Sequence, residues 1–308
     1  MADTHTGAGA GREGDADGAT AGSRSLTLVG AVRDALATEL ARDDDVVVLG
    51  QDVGRNGGVF RATEGLYEEF GGERVVDTPL AESAIVGLSV GMAAYGLRPV
   101  PEIQFSGFLS PGFDQRVSHA ARLRSRSRGG YGVPMTLRAP YGGGIRAPEH
   151  HSESKEAFYA HEPGLKVVIP STPYDTKGLL LAAIRDPDPV VFLEPKRLYR
   201  AVRDDVPEGS YEVALGEAAI RREGTDVSVF VWGAMSHPTL AAAENLAPEI
   251  EAEVVDLRTV SPMDRETMVE SFRETGRGVV VHEAPRTGGL GGEIVATLQE
   301  EALLYQEA

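Results

Sequence analysis

The sequence predicts an α/β fold of two three-layer domains with mainly parallel sheets. The chain has 308 residues, and at about 100–200 residues per domain this length favours two globular domains. Its predicted strands are short, continuous apolar runs, and the segments between them carry apolar residues at helical spacing. Strands that are apolar throughout and alternate with helices are typical of a parallel sheet covered on both faces.

The first domain is predicted over residues 25–195. Apolar residues recur at helical spacing over residues 28–40, which predicts a helix. Strands are expected at residues 46–50, 75–78, 99–103, 134–138, 166–169 and 190–193. The helix at residues 84–95 is apolar on nearly every face, which predicts that it is buried. A helix through Leu179, Leu180 and Leu181 is expected to be capped by Pro170-Ser171.

A second α/β unit is predicted over residues 216–308, after a linker at residues 196–215 that is rich in Arg, Asp, Pro and Gly. Strands are expected at residues 227–232, 252–257 and 278–282, and helices at residues 239–246 and after Gly291-Gly292. Residues 1–24 have almost no apolar bulk and are predicted to be a disordered tail. That tail mixes acidic residues with two arginines, unlike an Arg-rich mitochondrial presequence.

Composition excludes several classes of protein. The chain has no cysteine, which rules out disulfides, cysteine-ligated metal sites and thiol catalysis. Its formal net charge of -17 opposes binding to nucleic acid or anionic membranes. The uncharged, mainly apolar stretch at residues 83–97 is shorter than the roughly 20 apolar residues of a membrane span. We therefore expect a soluble cytoplasmic protein.

The acidic residues are concentrated in the second half of the chain. Residues 1–203 hold 23 basic and 26 acidic side chains, whereas residues 204–308 hold 7 and 21. Lysine is scarce, since nearly all basic residues are arginines. Salt adaptation of a halophile-like surface is the favoured interpretation, and docking of a basic partner on the second half is the alternative.

Three motifs are assigned structural roles. Gly87-Leu88-Ser89-Val90-Gly91 matches the nucleophile-elbow pattern, but Ser89 lies inside an apolar helix where that elbow needs a strand-to-helix turn. The glycine turn at residues 288–292 could hold a phosphate but lacks dinucleotide-binding spacing, so helix entry is favoured. His150 and His151 would face opposite sides of a strand, which argues against metal ligation.

The segment from Asp77 to Glu82 is the sharpest functional candidate. A strand ends at Pro79, and a lone carboxylate follows just before the apolar helix. Gln104-Phe105-Ser106-Gly107-Phe108 follows the next strand, at the carboxyl end where open α/β sheets bind ligands. The structural alternative for Glu82 is a helix-dipole partner, worth about 0.3–1 kcal/mol. The pattern alone leaves both interpretations open.

The chain resembles the beta subunits of thiamine-diphosphate-dependent 2-oxoacid dehydrogenases, from about Ser25 to its end. The resemblance implies a transketolase-like pyrimidine-binding domain followed by a transketolase C-terminal domain. Its motifs are Gly50-Gln51-Asp52-Val53-Gly54, Gly57 to Leu66, Asp77 to Glu82, Glu102-Ile103-Gln104-Phe105, Pro163 to Pro170 and Val254 to Val260.

The resemblance assigns a role to each matching residue. Glu82 matches the glutamate that contacts the aminopyrimidine ring nitrogen of thiamine diphosphate, where an apolar surround favours a shared proton. Phe108 matches an aromatic residue that packs on the aminopyrimidine, and Gln104 is implied to orient the same ring. His151 matches a histidine implied in acyl transfer to lipoamide. His150 is the adjacent residue. The choice of His151 as the imidazole that points inward therefore depends on the family match.

The resemblance also implies partners. The chain has no Gly-Asp-Gly, the motif that begins the family's diphosphate and Mg²⁺ site, and no metal ligand is assigned to it. An alpha subunit is therefore implied to supply that site in a heterotetramer of two alpha and two beta subunits. A lipoyl-bearing dihydrolipoamide acyltransferase would accept the acyl group. The sequence stops before a further strand and helix that relatives usually have, so the second domain is expected to lack its last elements.

The implied activity is oxidative decarboxylation of a 2-oxoacid with reductive acylation of lipoyl groups. Pro148-Glu149 and Phe108 favour the pyruvate type, and the branched-chain 2-oxoacid and acetoin types stay open. A non-catalytic assembly module of the same fold is the alternative from another class.

Overall fold

The computed structural model describes residues 22–307, so the predicted disordered tail lies outside the described residues up to residue 21. The end of that predicted tail is ordered. Ser23–Thr27 forms strand β1, which pairs antiparallel with strand β8 (Arg203–Pro207). Arg24 also forms an ion pair with Asp34. These long-range contacts order a segment whose composition predicts disorder.

Seven strands form the larger sheet, in the order β12-β6-β7-β5-β4-β2-β3. All neighbours are parallel except β12 and β6. The strands are β2 (Val46–Gly50), β3 (Val75–Asp77), β4 (Arg98–Glu102), β5 (Thr136–Tyr141), β6 (Lys166–Val168), β7 (Val190–Pro195) and β12 (Thr259–Ser261). Strand β5 continues past its predicted end at residue 138 because each of its residues pairs with β7.

Helices cover both faces of this sheet. They are α1 (Leu28–Arg42), α2 (Leu66–Phe70), α3 (Glu82–Tyr95), α4 (Leu123–Arg126), α5 (Glu156–Ala160) and α6 (Pro173–Arg185). Successive side chains of β7 lie on opposite faces of the sheet. Phe192 packs in one core with α1 and α6, and Leu193 packs in the other core with α3. The predicted fold class is confirmed by this arrangement.

Helix α3 is only half covered, which corrects the prediction that it is buried. Ile85, Val86 and Ser89 are buried, but Leu88 is 56% exposed and Tyr95 is 91% exposed. A helix that packs on a sheet buries the face toward the sheet. Within residues 22–307, no residue covers the opposite face of α3, where Leu88 and Tyr95 lie. Leu80, just before the helix, is also 68% exposed.

The predicted cap of α6 is also corrected. The helix begins at Pro173, and its cap is Thr172, whose hydroxyl accepts a hydrogen bond of 3.1 Å from the Asp175 N–H. Proline at the first helical position needs no donor partner, which fixes the start one residue later than predicted. Ser171 instead donates to Asp256, a buried residue of the second unit.

The smaller sheet has four strands in the order β13-β10-β11-β9, and only β9 is antiparallel to its neighbour. They are β9 (Ala219–Arg222), β10 (Val227–Val231), β11 (Ala252–Asp256) and β13 (Gly278–Val281), packed with α7 (Ser236–Leu246), α8 (Arg265–Thr275) and α9 (Gly291–Ala302). The sequence did not predict β9, β12 or α8. Helix α8 is strongly charged, and only Met268, Val269 and Phe272 form its buried apolar stripe.

The two units share one apolar core. Trp232, Met268, Phe272 and Leu298 pack in the same cluster as residues of α3 and β5. The predicted linker at residues 196–215 is packed as well, since it contains β8 and buries Tyr199. Within residues 22–307, no helix is both long and apolar enough to cross a membrane.

Candidate functional site

The carboxyl ends of adjacent parallel strands meet at one edge of the larger sheet. Gly50 at the end of β2 pairs with Asp77 on one side and with Glu102 on the other, and Glu102 in turn pairs with Arg138. Open parallel sheets bind ligands at this edge. The chain segments that leave it carry all four residues that the sequence assigns to the site.

Glu82 is the first residue of α3 and is half-buried. No residue among 22–307 forms a hydrogen bond or ion pair with its carboxylate. The helix N-terminus favours a negative charge there by about 0.3–1 kcal/mol. The neighbouring Ser83 hydroxyl donates a 2.5 Å hydrogen bond to the Pro111 carbonyl, which joins the start of α3 to the segment that carries Phe108. Glu82 therefore lies beside Phe108's segment with its carboxylate free.

Phe108 lies on the segment we name the aromatic turn, residues 105–112, most of which is a 3₁₀-helix (Ser106–Gly112). Its ring is half-buried and meets the Phe105 ring edge-on, with centroids 5.9 Å apart. Gly112 packs against Val86 of α3 so closely that an added Cβ would lie 3.0 Å from a Val86 methyl. The aromatic turn is thus held against the helix that Glu82 begins.

The two histidines lie in a 3₁₀ turn, Glu149–His151, which we name the histidine turn. The premise that they alternate across a strand is therefore wrong, because three residues per turn do not place neighbours on opposite faces. Both rings approach Phe108, His151 at 5.1 Å and His150 at 6.1 Å between centroids. His151 is half-buried and also contacts Phe105 at 4.5 Å, whereas His150 is exposed. His151 is the imidazole that packs into the aromatic cluster.

Gln104 points toward the loop after β2. Its side-chain amide donates a 3.2 Å hydrogen bond to the Asp52 carboxylate, which also accepts from Asn56 at 3.2 Å. Asp52 has a φ of 61°, a left-handed conformation that is uncommon for a residue other than glycine. The hydrogen bond fixes the orientation of the Gln104 amide, and its contact with a cofactor stays a prediction.

A buried charge network lies directly beneath this edge and was missed by sequence reasoning. Arg138 donates to Glu194 at 2.7 Å and to Glu102 at 3.0 Å, and Tyr199 donates to Glu194 at 2.5 Å. Burial, partly offset by Arg138, raises the pKa of Glu102, and burial likewise raises the pKa of Tyr199. The signal in the sequence was a charged residue within or near the end of each of three apolar strands, since Arg138 lies inside β5 and Glu102 and Glu194 lie at or near the ends of β4 and β7.

Ser89 and the glycine turn lie in the helix and at the helix entry where the sequence predicted them. Ser89 is buried inside α3 and donates to the Ile85 carbonyl at 2.8 Å, which fits helix packing. The glycine turn leads into α9, and Gly288 has a φ of 69°. Among residues 22–307, no group of three or more His, Asp or Glu side chains could hold a metal ion.

Comparisons with known proteins match both halves of the chain. The family model described as transketolase, pyrimidine binding domain, matches residues 24–202, and the one described as transketolase, C-terminal domain, matches residues 216–308. A solved split-gene transketolase, described as an inactive beta4 tetramer, has a TM-score of 0.73 at 23% identity, covering 90% of this chain and 85% of that one. The chain therefore has the two domains of the transketolase class.

Curated relatives define the family more narrowly. The pyruvate dehydrogenase E1 component subunit beta of Bacillus subtilis is 54% identical over 284 residues, which is 92% of this chain and 87% of that protein. The subunits of the same description from Acholeplasma laidlawii and Staphylococcus aureus are each 52% identical over the same shares. The chain belongs to the family of pyruvate dehydrogenase E1 component beta subunits. The family resemblance stated from the sequence is thereby confirmed.

Proposed function

We propose that this chain is the beta subunit of a thiamine-diphosphate-dependent 2-oxoacid dehydrogenase of the pyruvate type. The observation that supports the proposal most strongly is the placement of Glu82 at the start of the helix against which the turn carrying Phe108 packs. A carboxylate free of protein partners begins α3, and a half-buried aromatic ring lies on the turn packed against that helix. Family membership and the carboxyl-edge position support the same function.

The chain's residues fit the pyrimidine end of the cofactor. An aminopyrimidine needs a carboxyl group opposite a ring nitrogen and an apolar surface for its ring face, and Glu82 and Phe108 offer these two features. Thiamine diphosphate, when bound, supplies the electron sink for decarboxylation. Glu82 would share a proton with the ring, Phe108 would pack on it, and Gln104 would help to orient it. His151, packed edge-on to Phe108, would serve acyl transfer to the lipoyl group.

We infer that an alpha subunit completes the site in a two-alpha, two-beta heterotetramer. The chain has no Gly-Asp-Gly for a diphosphate and Mg²⁺ site. Exposed apolar side chains lie just before α3, at Leu80, and along it, at Leu88 and Tyr95, and they fit a protein interface. A lipoyl-bearing dihydrolipoamide acyltransferase would be the acceptor partner.

Several finer assignments are part of the same proposal. The pyrimidine-binding domain is assigned to residues 25–195 and the C-terminal domain to residues 216–308. The protein would act in the cytoplasm, with its net charge of -17 reflecting salt adaptation. A non-catalytic assembly module would have no need of Glu82, Phe108 and His151 together, which favours the catalytic role.

Co-expression with an alpha subunit that carries Gly-Asp-Gly tests the proposal. The assembled protein is expected to turn over pyruvate, with release of carbon dioxide, in preference to branched-chain 2-oxoacids, and in preference to acetoin, which is cleaved without decarboxylation. A preference for either of the others would reassign the substrate, and absence of turnover with all three would favour the assembly module. Calorimetry on the chain alone should show no tight binding of thiamine diphosphate with Mg²⁺, and micromolar affinity there would contradict the divided site.

A further inference from the structure

The histidine turn lies in a loop between β5 and α5 that we name the histidine loop, residues 142–153. The loop closes on itself, because the Gly142 N–H donates to the Glu153 carbonyl at 3.1 Å. The Ser106 hydroxyl donates to the same carbonyl at 2.9 Å, which fixes the base of the loop to the aromatic turn. The middle of the loop is exposed and needs another anchor to hold His151 in place.

That anchor comes from the second domain. A Glu283 carboxylate oxygen accepts a hydrogen bond from the Gly143 N–H. Gly142 has a φ of 78°, and a Cβ added to it would lie 2.7 Å from the other Glu283 carboxylate oxygen. The next part of the loop packs on a different residue, because a Cβ added to Gly144 would lie 2.7 Å from the Arg197 Cβ. Gly142 and Gly143 let the loop lie directly on the carboxylate, and Gly144 lets it lie directly on Arg197.

Glu283 is itself held in a rigid setting. It follows β13 and His282, whose ring stacks on Trp232 with centroids 5.1 Å apart and planes within 8°. The Trp232 indole N–H donates to the buried Glu156 carboxylate at 3.1 Å. The backbone that carries Glu283 is therefore fixed by contacts that cross between the two domains.

A buried cation lies near the same carboxylate. Lys196 is 5% exposed, and its ammonium lies 5.9 Å from the centroid of the Phe105 ring, which His151 also contacts. Burial lowers the pKa of Lys196 to about 8, although attraction to Glu283 opposes that change. The Glu283 carboxylate thus accepts a hydrogen bond from the loop backbone and attracts the ammonium group that lies beside the aromatic cluster.

We propose that Glu283, from a domain to which no cofactor residue is assigned, is a positioning residue that fixes the histidine loop and so sets the place of His151. The inference rests on the proposed role of His151 in acyl transfer. Glu283 acts through the Gly143 N–H and not by contact with substrate. Loss of the acceptor should free the loop while leaving Glu82 and Phe108 in place.

The test compares Glu283→Ala with Glu283→Gln in the protein assembled with its alpha subunit. Glu283→Ala should reduce acylation of a lipoyl domain by on the order of 10-fold to 10²-fold relative to decarboxylation measured with an artificial electron acceptor, since small misplacements have effects of that size. Glu283→Gln, whose amide oxygen still accepts a hydrogen bond, should restore most of the lost acylation. Glu270→Ala, an exposed glutamate of the same domain, is the control.

A second measurement is independent of activity. Arg146 is exposed within the histidine loop, so trypsin cleavage after it, followed by mass spectrometry, reports loop opening. Glu283→Ala should speed this cleavage several-fold, while cleavage after the exposed Arg128 outside the loop stays unchanged as an internal reference. Should Glu283→Ala fail to assemble, Glu283→Asp, one methylene shorter, replaces it.

The outcomes separate this inference from the proposed function. Unchanged cleavage after Arg146 in Glu283→Ala would overturn the anchoring role. Faster cleavage in Glu283→Ala with an unchanged ratio of lipoyl acylation to decarboxylation would overturn the positioning role, provided that His151→Ala alters that ratio. If His151→Ala does not alter it, the proposed role of His151 fails, and the positioning role fails with it.

Discussion

The carbonyl oxygen of His150 occupies the place that a side chain at Gly107 would fill. A Cβ atom on Gly107 would lie 2.1 Å from that oxygen. The aromatic turn and the histidine turn are therefore packed backbone against backbone. This close approach is what allows the Phe108 and His151 rings to meet at 5.1 Å.

Gly107→Ala should force the two turns apart. Overpacking of this kind costs about 1–3 kcal/mol, so we expect a lower melting temperature together with impaired lipoyl acylation. Gly292→Ala is the matched control, because a Cβ there meets nothing within 4 Å in α9. Equal melting temperatures for the Gly107→Ala variant and the wild type would show that the turns can separate without cost.

Glu82→Gln should leave the fold intact but remove most activity of the assembled enzyme. An amide cannot share a proton with a ring nitrogen as a carboxyl group can, and general acid–base contributions indicate a loss of roughly 10²–10⁴-fold. Steady-state turnover with pyruvate measures the effect, and Glu73→Gln at an exposed position is the control. Full turnover by a folded Glu82→Gln variant would contradict the assignment of Glu82 as the residue that shares a proton with the cofactor ring.

His151→Ala should reduce lipoyl acylation more than decarboxylation with an artificial electron acceptor. A loss on the order of 10²-fold in the lipoyl assay is expected if the imidazole is an acid–base group. His150 cannot be the control, because both rings approach Phe108. His161→Ala, at the exposed residue after α5, replaces it. Parallel losses in both assays with reduced thermal stability would indicate a structural histidine.

Glu102→Gln should make unfolding less dependent on pH. Burial raises the pKa of Glu102 in the folded chain, so folding takes up a proton, and stability falls as pH rises above the ordinary value near 4.5 through the raised value. The uncharged amide lacks this dependence. The free energy of unfolding of the variant minus that of the wild type should therefore rise between pH 4.5 and 7. Urea unfolding at several pH values measures this difference. A constant difference across that range would contradict the raised pKa.

Arg138→Met provides the contrasting variant for the same network. It leaves two buried carboxylates, Glu102 and Glu194, without their shared cation. Removing one partner of a buried ionic group costs about 3–5 kcal/mol, so this variant should be strongly destabilised at pH 7. Lowering the pH should recover part of the loss as a carboxylate is protonated.

The sequence predicted the parts of the fold that depend on local pattern. Apolar runs marked the strands, and the apolar helix beside Glu82 was predicted, although it begins at Glu82 itself and not at residue 84. Contacts set by long-range register could not be predicted. The pairing of Glu102 with Arg138 depends on which strands are neighbours, and nothing local to β4 or β5 specifies that order.

The histidine turn shows the same limit within the candidate site. Its extended appearance in the sequence concealed a 3₁₀ turn, because Gly107 and Glu283, distant along the chain, determine its path. The exposed face of α3 was missed for a different reason. Apolar composition indicates that a surface will be covered, but it does not indicate that the cover belongs to the same chain.

Strand β12 of the second half lies at the outer edge of the first half's sheet, paired with β6. Cutting the chain between its two domains would therefore uncover the unpaired backbone groups of β6. Exposed strand edges recruit other chains, so an isolated first domain should self-associate and precipitate. Adding the second half as a separate polypeptide should restore solubility, since it returns the missing strand. Fragment complementation is thus the behaviour that this topology predicts for the chain.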